Sequence, residues 1–248
     1  MIVRPRHRRA QSGRSRQAQR AIEEAIKERI LLDRLQTGDP IPTESEFVEE
    51  LGISRNSVRE ALKALQAVDI VEIRHGYGTY VGGGSLDPLA DALVFRGRKA
   101  LHDTREINEI VDVREALEVG FIGHVATIID RAELDRLADR LEDLRIHAGP
   151  GDAGERADRA FHDELYAPLR NQLMSQLLRV FWDVYHALSP QLSVAPQDRI
   201  DIIAGHEAIY AAVAAHDAEN ATVAMRKHFA GIRHRLDGAL TSQGLSRR

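Results

Sequence analysis

Four side chains late in the sequence have the types and spacing of metal chemistry. Asp158 and His162 stand at i and i+4, so a helix would present a carboxylate and an imidazole on one face. That is the spacing by which one helix supplies two ligands to one ion. His206, in Gly205-His206-Glu207, and His228, in Lys227-His228-Phe229, fall on two later helical segments. One Asp and three His would make a mixed oxygen and nitrogen site inside a helix bundle, where such sites occur. Spacing alone leaves other readings open. In a chain with 11 His, an Asp-x-x-x-His pair serves as readily as a surface ion pair, and His206 or His228 alone as a hydrogen-bonded helix residue. There is no cysteine, which excludes disulfides, thiolate zinc sites and cysteine nucleophiles. Any metal must be held by His, Asp or Glu.

A second group, early in the chain, has the chemistry of nucleic-acid recognition. Ser54 reads as the N-cap of a helix over 55–68. Arg55 and Arg59 share a face of that helix and Lys63 continues the stripe. Arg can pair bidentately with guanine, and Asn56 can do so with adenine. The hydroxyls of Ser54 and Ser57, with the helix N-terminal amides, suit phosphate oxygens. The turn His75-Gly76 would let backbone approach the minor groove or the sugar-phosphate chain. The competing reading is an amphipathic helix with a solvated basic face. Composition does not favour DNA by itself, because residues 21–84 carry seven Lys/Arg against twelve Asp/Glu, a net of −5.

The total charge of −4 is unevenly spread: residues 1–20 hold seven Arg and no acid, leaving −11 for the rest. A basic arm on an acidic body suggests a polyanion partner; a solvated, disordered terminus is the other reading.

The elements that must position these residues are legible from periodicity and punctuation. Ile22–Leu35 reads as a first helix, broken by Gly38-Asp39-Pro40. Thr43 with Glu46 forms a capping box that opens a second helix, ended by Gly52. After the 55–68 helix come two β-branched runs, Ile70–Arg74 and Thr79–Val81, joined by a glycine-containing hairpin turn. Gly82-Gly83-Gly84-Ser85 marks a domain boundary. Beyond it the chain reads as helices near 103–128, 131–148, 155–167, 170–188, 197–215 and 218–238. No run approaches the roughly 20 apolar residues needed to span a bilayer. The first 20 residues also lack the apolar segment of a secretory signal.

Gly38-Asp39-Pro40-Ile41-Pro42-Thr43-Glu44, Leu51-Gly52-Ile53-Ser54-Arg55-Asn56-Ser57-Val58-Arg59-Glu60-Ala61-Leu62 and Gly76-Tyr77-Gly78-Thr79-Tyr80-Val81 together resemble the DNA-binding domain of the GntR family of transcription regulators. The resemblance implies a winged helix-turn-helix over 21–84 in which Arg55 and Arg59 contact operator bases and phosphates, with His75 and Gly76 assisting. The sequence departs from the family at Ser45, where many relatives carry Arg. The all-helical remainder is similar to the FCD sensor domain of the FadR-like subfamily. That similarity implies that Asp158, His162, His206 and His228 bind a divalent metal, zinc first, with nickel or manganese as the others. It also extends to Arg114, Glu118 and Asn171. Arg114 suits the carboxylate of a small effector through its planar fork, or pairs structurally with Glu118, and Asn171 joins it as an effector-binding candidate.

The expected protein is mostly α. It has a disordered basic arm (1–20), a winged helix-turn-helix (21–84), a linker (85–100) and a helical metal-binding and effector-binding bundle (101–240). The expected function is a cytoplasmic, homodimeric, non-enzymatic regulator, a repressor of a palindromic operator released by a small carboxylate. A metal-dependent enzyme acting on a small organic acid is the alternative.

Overall fold

The computed structural model describes residues 7–99, 105–149, 151–188 and 199–242. The chain divides into two compact units, 1–88 and 89–248.

The first unit holds helices α1 (His7–Leu32), α2 (Glu44–Leu51) and α3 (Arg55–Gln66) and the hairpin β1 (Val71–Arg74) and β2 (Gly78–Val81). Both capping expectations hold. Thr43 Oγ1 accepts from the Glu46 N–H while the Glu46 carboxylate accepts from the Thr43 N–H, and Ser54 accepts from the Ser57 N–H. Gly52 ends α2 with φ +64°, a left-handed conformation that costs glycine little. The strands pair antiparallel with Val71 opposite Val81, and Pro40 bridges to Tyr80 beyond them. Phe47, Val58, Leu62, Leu65, Ile26 and Ile30 form the core. That core fixes α3 with its opposite face outward.

Two boundaries differ from the sequence reading. The arm is not irregular: residues 7–20 are the first turns of α1, which begins at His7 rather than Ile22. Arg, Gln and Ala in this stretch favour helix, and Gly13 alone opposes it. Residues 1–6 lie outside the described residues. The expected linker over 85–100 is mostly a helix, α4 (Asp87–Lys99). Gly97 explains why it packs, since a Cβ there would lie 2.4 Å from Leu188 Cδ1. Only about 82–86 remains outside helix and strand.

The second unit continues with α5 (Arg105–Ile128), α6 (Arg131–His147), α7 (Asp152–Tyr166), α8 (Gln172–Leu188), α9 (Arg199–Ala214) and α10 (Ala218–Ser242). A single 3₁₀ turn, Ala167–Leu169, separates α7 from α8. Helix α5 is central, packing most extensively on α10 and also touching α7, α8 and α9. The loop expected over 189–196 lies outside the described residues.

Candidate metal centre and nucleic-acid interface

Three helices deliver the expected ligands to one place. Asp158 and His162 sit one turn apart on α7, His206 on α9 and His228 on α10. One ligating atom from each of the three histidines falls within 4.8 Å of the others. The ring centroids are 5.5 Å apart for His162–His206, 5.1 Å for His162–His228 and 4.7 Å for His206–His228. Asp158 Oδ1 lies 2.9 Å from His206 Nε2 and 3.5 Å from His162 Nε2. His162 and His206 are buried, whereas Asp158 keeps 30 % of its side chain exposed, so the cluster opens to solvent on the Asp158 side.

The far side of each ring fixes its orientation. His162 Nδ1 is 2.6 Å from Glu118 Oε2, and His206 Nδ1 is 2.8 Å from the carbonyl oxygen of Ile202. A carboxylate and a carbonyl only accept, so both Nδ1 atoms carry protons. Orienting acceptors of this kind characterise metal-bound histidines. His162 Nε2 is buried, 3.5 Å from Asp158 Oδ1, and it has no hydrogen-bond partner among the described residues. His206 faces acceptors on both nitrogens, so it must hold a second proton or share a cation with Asp158.

The electrostatics agree. Burial works against the charge of Asp158, but His206, His162 and His228 outweigh it and hold its carboxyl well below the usual range. Burial also opposes protonation of His206, and Asp158 overcomes it and raises the pKa. Burial, joined by His206 and His162, pushes His228 well below the ordinary imidazole value, leaving a neutral ring. An anionic oxygen, an orphaned imidazole nitrogen and a neutral imidazole fit a divalent cation of the zinc type.

Glu118 joins this cluster to a second feature. Its other oxygen, Oε1, accepts from Arg114 Nε at 2.6 Å, and both side chains are almost wholly inaccessible. Burial would raise the Glu118 carboxyl, but Arg114 and His162 outweigh it and hold it at about 2. Tyr166 donates its hydroxyl to the Glu118 carbonyl at 2.8 Å. Arg114 lies flat on Trp182, 4.0 Å from the ring centroid, and its Nη2 is buried without a partner among the described residues. Arg114 is therefore ion-paired through Nε, as the structural reading expects, and keeps an unused donor at Nη2.

Asn171 is not brought to this cluster. Its side-chain oxygen accepts from the Met174 N–H at 3.1 Å, and it is exposed at the start of α8. It acts as a helix cap. The Glu118–His162 link, spanning 44 positions, escaped the sequence reading. The available signal was an acid on a helix otherwise apolar around it, with an imidazole elsewhere needing an acceptor.

The nucleic-acid candidates line the start of α3. Ser54 Oγ lies 2.8 Å from Ser57 Oγ, and Arg55 and Asn56 are exposed. Arg59 is half-exposed and holds Glu44 through Nε and Nη2, at 3.2 and 3.1 Å. Ser45, the position of departure, accepts from Arg55 Nη2 at 2.8 Å. His75 and Gly76 are exposed in the hairpin turn, where Gly76 has φ +81° and Tyr77 keeps 82 % exposure.

Among the described residues no helix is long and apolar enough to cross a membrane. Residues 18–81 match the model of bacterial regulatory proteins of the gntR family, and residues 109–231 match that of the FCD domain. The chain is 30 % identical over 215 residues to the HTH-type transcriptional regulator LutR of Bacillus subtilis, covering 82 % of this chain and 94 % of that one. It is 27 % identical to the Uxu operon transcriptional regulator of Escherichia coli, covering 88 % of each. Among solved structures, Streptococcus agalactiae GntR superposes with a TM-score of 0.63 at 26 % identity, covering 87 % of this chain and 99 % of that one. These relatives are transcription regulators and not enzymes. The chain belongs to the gntR family of bacterial transcription regulators, with a DNA-binding helix-turn-helix unit followed by an FCD effector-binding domain.

Proposed function

We propose that this regulator senses a small carboxylate at a divalent metal held by Asp158, His162, His206 and His228, and that binding there changes its affinity for operator DNA. The observation that carries this reading is the buried chain from Arg114 through Glu118 to His162, with an unused donor at one end and an unpartnered ring nitrogen at the other. A bound divalent metal would supply Lewis acidity, with open positions for a ligand's oxygens. Arg114 Nη2 would meet a carboxylate, and a pairing of that kind is strong where water is excluded. Glu118 holds both residues in register. The reading includes membership of the FadR-like subfamily, a homodimer on a palindromic site, Arg55, Asn56 and Arg59 as base readers, Ser54 and Ser57 at phosphates, His75 and Gly76 at the wing, and repression relieved by the acid. Two-fold symmetry follows from the need to place two recognition helices on half-sites about one helical turn apart.

The test has two stages. Zinc-loaded full-length protein is screened by thermal shift against hydroxy acids, sugar acids and dicarboxylates, and the acids that raise the melting temperature enter a gel-shift titration on the duplex upstream of its own gene. An acid that stabilises wild type, does not stabilise His162→Ala, and releases the duplex supports the reading. Acids that bind with no effect on DNA affinity, or equally well without metal, overturn it.

A further inference from the structure

Helix α1 is longer than its core requires. Its packing begins at Ile22 and continues through Ile26 and Ile30, yet the helix starts at His7. Residues 7–21 add about 22 Å of helix at roughly 1.5 Å per residue. This stretch contains Arg8, Arg9, Arg14, Arg16 and Arg20 and no acid. Arg9, Arg16 and Arg20 recur at intervals of seven and four, which places them on one stripe of the helix. The core positions 22, 26 and 30 define another stripe, roughly 100° around the axis. Arg16 and Arg20 are exposed. Glu24, one turn beyond Arg20, is taken by Lys27 at 2.8 Å. Among the described residues, Arg16 and Arg20 therefore serve neither the core nor an ion-pair ladder.

The remainder of this unit repels a polyanion. Residues 21–84 carry a net charge of −5, and two cations of α3 are already paired, Arg59 with Glu44 and Lys63 with Glu60. An acidic body approaching a duplex needs positive charge from elsewhere to be attracted at long range. The seven Arg of residues 1–20 are the largest concentration of it in the sequence.

We infer that the N-terminal half of α1 is a phosphate-binding arm. Its Arg9–Arg16–Arg20 stripe lies along the backbone of the duplex flanking the site read by α3 and contacts it without regard to sequence. The inference rests on the family's DNA binding and is independent of the metal centre.

The test compares the full-length wild type with the triple variant Arg9→Gln, Arg16→Gln, Arg20→Gln, which keeps helix-favouring side chains. Binding to a random-sequence duplex of roughly 30 base pairs is followed by fluorescence anisotropy from about 50 to about 200 mM salt. Each lost phosphate contact should lower the slope of log affinity against log salt by about 0.9, so the variant's slope should be smaller by about 2.7 for each arm engaged. The wild-type advantage should then shrink about 40-fold per engaged arm across that range. The same change should appear on a second duplex of unrelated sequence. The matching triple Lys variant, which conserves charge, should keep the wild-type slope. An unchanged slope in the Gln variant overturns the inference, as does a loss confined to one duplex. A Lys variant that loses the slope as fully would make the effect structural and overturn it too. So would intact duplex binding accompanied by lost binding to phosphatidylserine vesicles.

Discussion

The two units use charge in opposite ways. In the winged helix-turn-helix, the candidate DNA-contacting side chains are exposed, and their partners (Glu44 for Arg59, Ser45 for Arg55) are surface groups that a duplex could displace at small cost. In the FCD domain, Arg114, Glu118, His162 and His206 are buried; the first three are joined to one another, and His206 is held by the Ile202 carbonyl and by Asp158. Exposed pairs are replaceable and suit a surface that must bind and release. Buried pairs cannot rearrange without leaving a charge unmatched, which suits a centre whose geometry must hold until a ligand arrives.

This contrast can be broken most forcefully at Glu118. Glu118→Gln keeps the shape but leaves Arg114 buried without a counter-charge, and unfolding in urea should show a loss of about 3–5 kcal/mol. The same carboxylate gives the bundle a pH dependence. Its folded pKa of about 2 lies below the ordinary 4.5, so its contribution is complete above 4.5 and is lost as pH falls through about 2. Acid unfolding of Glu118→Gln should be correspondingly flatter over that window.

Metal loading comes next. Zinc at about 100 times its dissociation constant should stabilise the wild type by about 2.7 kcal/mol, and His162→Ala should lose that gain in a thermal melt. In the first unit the effects should appear in binding and not in stability. Arg59→Ala should weaken operator binding by about 1–3 kcal/mol, with unfolding nearly unchanged. The smallest effect is expected at Thr43→Ala, which removes the side-chain half of the capping box and should cost about 1 kcal/mol in urea unfolding.

Local signals carried most of the fold. Thr43, Ser54 and Gly52 each mark a boundary through a bond made within a few residues, and a sequence displays such bonds directly. The arm and α4 escaped because charge and a nearby glycine run resemble disorder, while what orders α4 is contact with the distant Leu188. In the candidate site, the i and i+4 pair on α7 was legible for the same local reason. That His206 and His228 converge on it followed from resemblance alone, because helix packing is not written in spacing. Resemblance carried Asn171 to the candidates, and the local bond to Met174 that makes it a helix cap was not read from the sequence.

The centre itself is tested most directly by isothermal titration of zinc into metal-stripped full-length protein, wild type beside His162→Ala and Glu118→Gln. One ion per chain should bind the wild type, with affinity lower by about 10–100-fold in Glu118→Gln, whose role is to orient His162, and lower still in His162→Ala. Equal affinities in all three proteins, or no stoichiometric binding to the wild type, would contradict the account.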